Sequence, residues 1–336
     1  MATEISVKII LDSISPMGKR ITTMHWRYPR FIHSEVMTHR LFSRNARSSR
    51  AVPGQTLIAE LMNGAAVIPL HWGAKQKGMQ ADNETDALIP CKTIPLELDM
   101  DFITQEQAWL AGRNVMVGIA QGFLDAGYHK QVYNRLLEPW LHIDTLVTAT
   151  EYDNFLWLRD HKDAEPHIKI LAQKVKEALD ASTPKLLQPG EWHLPYINLL
   201  DWDQVINMVE DSDVPHGQRG DEALSLLRKI SAARCARISY KPFDGNGSIE
   251  AELARYDSLV SSDRVHASPV EHQATPDTQS IYRVQRLVPA QGLRAPYYED
   301  VREGLDWDNP GEHGNFIGWR QYRKQIPNEA VWQQAA

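Results

Sequence analysis

Behind Pro166, the segment HIKILAQKVKEALD places Ile168, Leu171, Val175 and Leu179 at helical spacing, which predicts an amphipathic helix with an apolar stripe to bury. The same period predicts helices through ITQEQAWLAGRNVMVGIAQGFLDAG, ending near Gly127, and through HKQVYNRLLEPWL, with Val132 and Leu136 on one face. It returns in DEALSLLRKISAARCA and in IEAELARYDSLV behind a Ser248 cap. Strand signal is scarcer. RITTMHW alternates as a strand, and with Pro29 at the start of a helical turn, RYPRFIHSEVMTHR reads as strand, turn and helix. Residues 51–100 read as mostly irregular around a short helix near TLIAELMNG, and residues 182–220 as a surface connector. With no tandem repeat and no regular strand–helix alternation, the expected fold class is α+β, helix-rich with a small mixed or antiparallel sheet.

A chain of 336 residues, 43% hydrophobic and 24% charged, allows one elaborate domain or two smaller ones. No apolar run approaches the ~20 residues that span a bilayer. MATEISVKIILDS lacks the pattern of a signal peptide, so a cytosolic location without membrane association is expected. Cys91 and Cys235 lie far apart and outside any CxxC pair, which suggests neither a disulfide framework nor a thiolate metal site. Net charge −7 argues against a protein that coats nucleic acid. Ten tryptophans and eleven tyrosines could stack on heterocycles, but filling a core or an oligomer interface accounts for most of them.

Against that acidic background, THRLFSRNARSSRAVP at residues 38–53 gathers Arg40, Arg44, Arg47 and Arg50 beside His39, Ser43, Asn45, Ser48 and Ser49. Arginine forks with hydroxyls and turn amides suit an anion such as a nucleotide phosphate; a solvated basic face or a phosphorylatable serine is an equal alternative. HASPVEH at 266–272 groups His266, Ser268, Glu271 and His272 around a proline. It reads as a helix start capped by Ser268, and its histidine and carboxylate spacing matches no strong metal motif. DGNGS at 244–248 reads as a turn, and neither a Walker loop nor a Rossmann fingerprint is present.

HRLFSRNARSSR resembles the signature of the flavin-dependent thymidylate synthases, with His39, Arg40, Ser43, Asn45, Ser48 and Arg50 matching. CARISY at 235–240 and HASPVEH resemble that family's two early segments. NRLLEPW from Asn134 and FLWLRD from Phe155 resemble two later helices that each contribute an arginine. The two early segments here follow the rest, so the chain resembles a circularly permuted, phage-type member. That implies one permuted catalytic domain over 1–336: signature and arginine helices in 1–181, a connector at 182–220, the family's first segments in 221–280, and a C-terminal extension at 281–336 without a counterpart. Permutation is tolerable where the old termini lie close together at the surface.

The resemblance implies one-carbon transfer to carbon 5 of a pyrimidine deoxynucleotide, foremost dUMP to dTMP, with reduced FAD and with methylenetetrahydrofolate and NADPH as co-substrates. It implies a homotetramer with sites built from several chains, no metal, no direct nucleic-acid partner, and a cytoplasmic location, in the host if phage-encoded. Arg159 would stabilise charge on the pyrimidine ring, with Glu35, Thr38, Arg47, Ser48, Ser49, Arg50 and Arg135 completing the substrate set. His39, Arg40, Asn45, Thr148, Thr150, Asn154, Ser239, His266, Ser268 and Glu271 would form the flavin set. The chain departs from the family pattern at Thr38, where an arginine is usual, at Glu35, where a glutamine is, at Ala46, where an acid is, and at Thr148, Ala149 and Thr150, which replace Asn-Ala-Arg. Since a carboxylate accepts from an exocyclic amine such as that of cytosine, a dCMP or dUMP hydroxymethylase serving modified DNA is the nearest enzyme alternative. A nucleic-acid-binding module using the arginines and a metal-dependent hydrolase using the histidines are the alternatives from other classes.

Overall fold

The computed structural model describes residues 3–79, 81–93, 100–239, 247–260, 265–292, 294–327 and 329–330. Its centre is a five-stranded sheet in the order β3-β6-β2-β1-β7, formed by β1 (Ser6–Ile14), β2 (Arg20–Pro29), β3 (Ser43–Ala46), β6 (His142–Ala149) and β7 (Lys185–Leu186). All neighbours pair antiparallel except β1 with β7, which makes the sheet mixed. Short strands β4 (Ile89–Pro90) and β5 (Phe102–Ile103) pair apart from it, as do β8 (Ala274–Pro276) and β11 (Trp319–Gln321). The fold is α+β, as expected.

Alternation along β2 and β6 gives this sheet two different faces. Met24, Trp26, Tyr28 and Val147 point to an apolar face and are essentially buried. α5 (Asp153–Arg159) and α6 (Pro166–Ala181) cover it with Phe155, Ile168, Leu171 and Val175. The predicted stripe of α6 is thus the wall of the main core. Thr23 stands opposite Thr148, and Thr148 opposite Ser43, so three hydroxyl residues run across the other face. Although polar, they are buried, because residues 268–276 and the C-terminal segment lie over them.

Further cores flank the sheet, two of them built by helices. α3 (Gln105–Asp125), capped by the reciprocal Thr104–Gln107 box, packs with α2 (Gly54–Glu60), α4 (Lys130–Tyr133) and a 3-10 helix at Asn134–Trp140. α7 (Leu199–Glu210), α8 (Arg219–Ala236) and α9 (Ile249–Val260) form the other. Ser248 caps α9 as expected, its Oγ accepting from Ala251 N at 3.3 Å. The segment 29–36 follows the expected order, with β2 leading through a 3-10 turn into α1 (His33–Val36).

Two expectations need correcting. HKQVYNRLLEPWL is a short α-helix that tightens into 3-10, and the faces move with it: Val132 is 50% exposed, while Tyr133, Leu137 and Trp140 are buried. Pro139 lies inside this helix, and its missing N–H favours the tighter turn. The segment 182–220 is not a surface connector. It holds β7, the fully buried His193, and α7 with Val205 and Val209 in a core; the signal passed over was the reciprocal cap between Asn198 and Asp201. Among the described residues no helix is long and apolar enough to cross a membrane.

Candidate nucleotide site

Phe155 anchors α5 by stacking on Trp26, with centroids 5.4 Å apart. One turn later the same helix face delivers Arg159 to the α1 turn. There Arg159 Nε donates to His39 Nε2 at 3.0 Å, Nη1 to Glu35 Oε2 at 3.1 Å, and Nη2 to Thr38 Oγ1 at 3.2 Å. Thr38 spends its own proton on Glu35 O at 2.7 Å, so its oxygen is set to accept. Burial first, then the Arg159 and Arg44 charges, hold His39 down to about 4. The ring is therefore neutral near pH 7, with the proton on Nδ1 and Nε2 free to accept. Burial pushes Glu35 up and Arg159 partly offsets this. Three residues of the predicted site thus converge on the guanidinium of a fourth, Arg159.

The other arginines divide into structural and open ones. Arg44 is half-buried and donates from Nη1 to Val36 O and His39 O at 3.2 and 3.1 Å, closing the α1 turn. Arg47 forks onto both oxygens of Glu60 at 2.7 and 3.2 Å, and Ser49 Oγ donates to Glu138 at 2.6 Å. These two members of the expected substrate set hold the loop together. Arg40, Arg50 and Arg135 are exposed, with no side-chain partner among the described residues. Arg135 follows Asn134, whose Nδ2 donates to Ser49 O and Val52 O at 2.7 and 3.1 Å and so clamps the loop that carries Arg50. A Cβ on Gly54 would fall 2.4 Å from the Tyr133 ring, so the loop can leave this clamp only at a glycine.

The expected contact between HASPVEH and the arginine stretch is present, on the opposite face of β3. Asn45 Oδ1 accepts from Ser268 Oγ at 3.0 Å, and its Nδ2 donates to Cys235 O at 2.9 Å. Ser268 therefore bonds to β3 and does not cap its own 3-10 turn. Glu271 is ion-paired with Arg323, and Thr150 Oγ1 accepts from Ile317 N at 3.2 Å. Asn154 and His266 are exposed without side-chain hydrogen bonds among the described residues. The Ser239 side chain lies outside the described residues, as does most of DGNGS. Of the expected flavin set, Asn45, Thr148, Ser268 and Glu271 join segments, while Arg40, Asn154 and His266 stay open. Open cationic and amide donors fit the diphosphate of FAD.

A buried polar chain missed in the sequence backs this arrangement. Ser13 Oγ meets His193 Nδ1 at 2.9 Å, His193 Nε2 meets Thr23 Oγ1 at 2.8 Å, Thr23 meets Thr148 at 2.6 Å, and Thr148 meets His272 Nδ1 at 2.8 Å. Burial lowers both histidines to about 3. His272 Nε2 is buried with no partner among the described residues. The C-terminal segment also enters: Asn315 Nδ2 donates to Leu41 O at 2.8 Å, and Gln321 Nε2 donates to Asn315 Oδ1 at 2.9 Å and to Glu271 O at 3.2 Å. Burial raises the Cys235 thiol, which suits it to packing and not to nucleophilic attack. Among the described residues no group of three or more histidine, cysteine or acidic side chains is placed to hold a metal ion.

No protein-family model matches the chain, and no curated protein does. Solved structures similar to it include a UMP/dUMP methylase, PolB, from Streptomyces cacaoi bound with 5-Br UMP, at 16% identity and a TM-score of 0.37 over 53% of this chain and 89% of that one. They also include the flavin-dependent thymidylate synthase ThyX from Helicobacter pylori complexed with FAD and dUMP, at 16% identity and a TM-score of 0.30 over 47% of this chain and 67% of that one. The second belongs to the family whose motifs the sequence resembles.

Proposed function

We propose that the chain is a flavin-dependent enzyme that transfers a one-carbon unit to carbon 5 of a pyrimidine deoxynucleotide monophosphate, deoxyuridylate or deoxycytidylate. The observation that carries this reading is the convergence of Glu35, Thr38 and His39 on Arg159, across 120 to 124 residues of chain. Carbon 5 is a poor nucleophile until the ring is polarised, and a fixed guanidinium at the ring edge stabilises the charge that develops on a ring oxygen. Neutral His39 orients that guanidinium by accepting from Nε without adding a competing charge. Arg50 and Arg135 take the phosphate, with Ser48 beside them, and Arg40, Asn154 and His266 hold the flavin nucleotide. FAD supplies the redox chemistry when bound, with methylenetetrahydrofolate as one-carbon donor and NADPH as reductant. A homotetramer brings the two faces of β3 into complete sites, and the chain order is a circular permutation of the family's.

The test is binding by the purified full-length protein. FAD is expected to bind with a flavin absorption spectrum, and dUMP or dCMP to titrate a site that Arg159→Ala weakens by about tenfold or more while the protein stays folded. A folded protein that binds neither flavin nor nucleotide is incompatible with this function.

A further inference from the structure

We infer that Glu35 and Arg159 together read the base, and that they select cytosine over uracil; this rests on the pyrimidine-nucleotide reading above. A guanidinium has five N–H donors and an ionised carboxylate only acceptors. Arg159 spends its Nε–H on His39, one Nη1–H on Glu35 Oε2 and one Nη2–H on Thr38 Oγ1. One N–H remains on each terminal nitrogen. Glu35 Oε1 has no hydrogen-bond partner among the described residues. The groups left for a ligand are thus one acceptor, Glu35 Oε1, and two donors, one on each terminal nitrogen of Arg159; side by side they read acceptor, donor, donor.

Cytosine presents the complement: the N4 amine donates, and N3 and O2 accept. All three bonds form in one register. Uracil presents O4 as acceptor, N3–H as donor and O2 as acceptor. In the same register its O4 would face the Glu35 carboxylate, and its N3–H would face a guanidinium N–H. Sliding by one position restores two bonds and leaves one Nη donor without the base. A site that hydrogen-bonds a polar substrate edge discriminates strongly against an analogue that mismatches it. The half-exposure of Glu35 moderates that discrimination here.

The experiment is isothermal titration of full-length protein with dCMP and with dUMP, for the wild type and for Glu35→Gln, which swaps one carboxylate oxygen for an amide donor. The wild type is expected to bind dCMP at least about tenfold more tightly than dUMP. Glu35→Gln should abolish or invert that ratio, a change that a merely structural role for Glu35 would not produce. The 2-pyrimidinone deoxynucleotide, which lacks only the 4-amine of dCMP, should bind the wild type about tenfold more weakly than dCMP, and this arm needs no variant. Equal affinity for the two nucleotides, or a dUMP preference that Glu35→Gln leaves unmoved, overturns the inference and leaves the nucleotide reading standing. Binding of neither nucleotide overturns that reading and the inference with it.

Discussion

Arg50 stands exposed on the loop that Asn134 clamps, and its charge has no partner among the described residues. Arg50→Ala is therefore expected to weaken nucleotide binding by ~2 kcal/mol, roughly thirtyfold, and flavin binding far less. Parallel titrations of the variant with both ligands check this, and equal losses would mean that the loop itself had collapsed. Arg47, in the same stretch, reads alike in sequence and behaves otherwise, because Glu60 takes both sides of its fork. Which arginine is open depends on an acid supplied by a later helix, and spacing within the stretch does not record that. Arg159, Glu35, Thr38 and His39 were legible through motif resemblance, whereas their mutual contacts were not. His193 was illegible altogether: its partners Ser13 and Thr23 lie 180 and 170 residues away, with no local pattern to announce them.

The longest feature unread in the sequence is the antiparallel hairpin of β9 (Gln279–Val288) and β10 (Tyr297–Trp307). Ile281, Val284, Leu287, Tyr298 and Leu305 on it are all exposed. At its base, Asp308 N donates to Thr278 O at 2.9 Å, which closes the loop independently of the arm. Replacing residues 281–305 by Asn-Gly, a two-residue turn between the paired Ser280 and Asp306, is expected to leave the far-ultraviolet circular dichroism of the remaining chain intact and to shift Tm by no more than a few degrees. Loss of cooperative melting would show that the arm supports the core. α6 was fully legible because a single buried face decides it. α4 and its 3-10 continuation were not, because a tighter helix rotates the buried face away from the one that a regular α-helix would present.

At the scale of the whole molecule, burial holds His33 and His39 at about 4 and His193 and His272 at about 3, each below the ordinary 6.5. The unfolded chain binds protons at these groups first, so stability is fully present above about pH 6.5 and falls as the pH drops toward 4, by up to ~1.4 kcal/mol per pH unit for each of the fully buried His193 and His272 and by less for His33 and His39, which solvent partly screens. Asp12 acts in the same direction at lower pH: burial raises it, but bonds from Arg20, Ser182 and Thr22 outweigh burial and hold it below its ordinary value. Thermal melts from pH 7.5 to 4.5 should show Tm falling steadily below pH 6.5, and a flat profile would mean that these histidines are protonated in the folded protein. Any substitution at carbon 5 of a pyrimidine nucleotide must release the hydrogen that the carbon carries. The direct measurement is tritium release to water from dCMP and dUMP labelled at carbon 5, with FAD, NADPH and methylenetetrahydrofolate present. Release by the wild type that is lost in Arg159→Ala is the predicted result, and no release from either nucleotide by protein that binds flavin and nucleotide would contradict it.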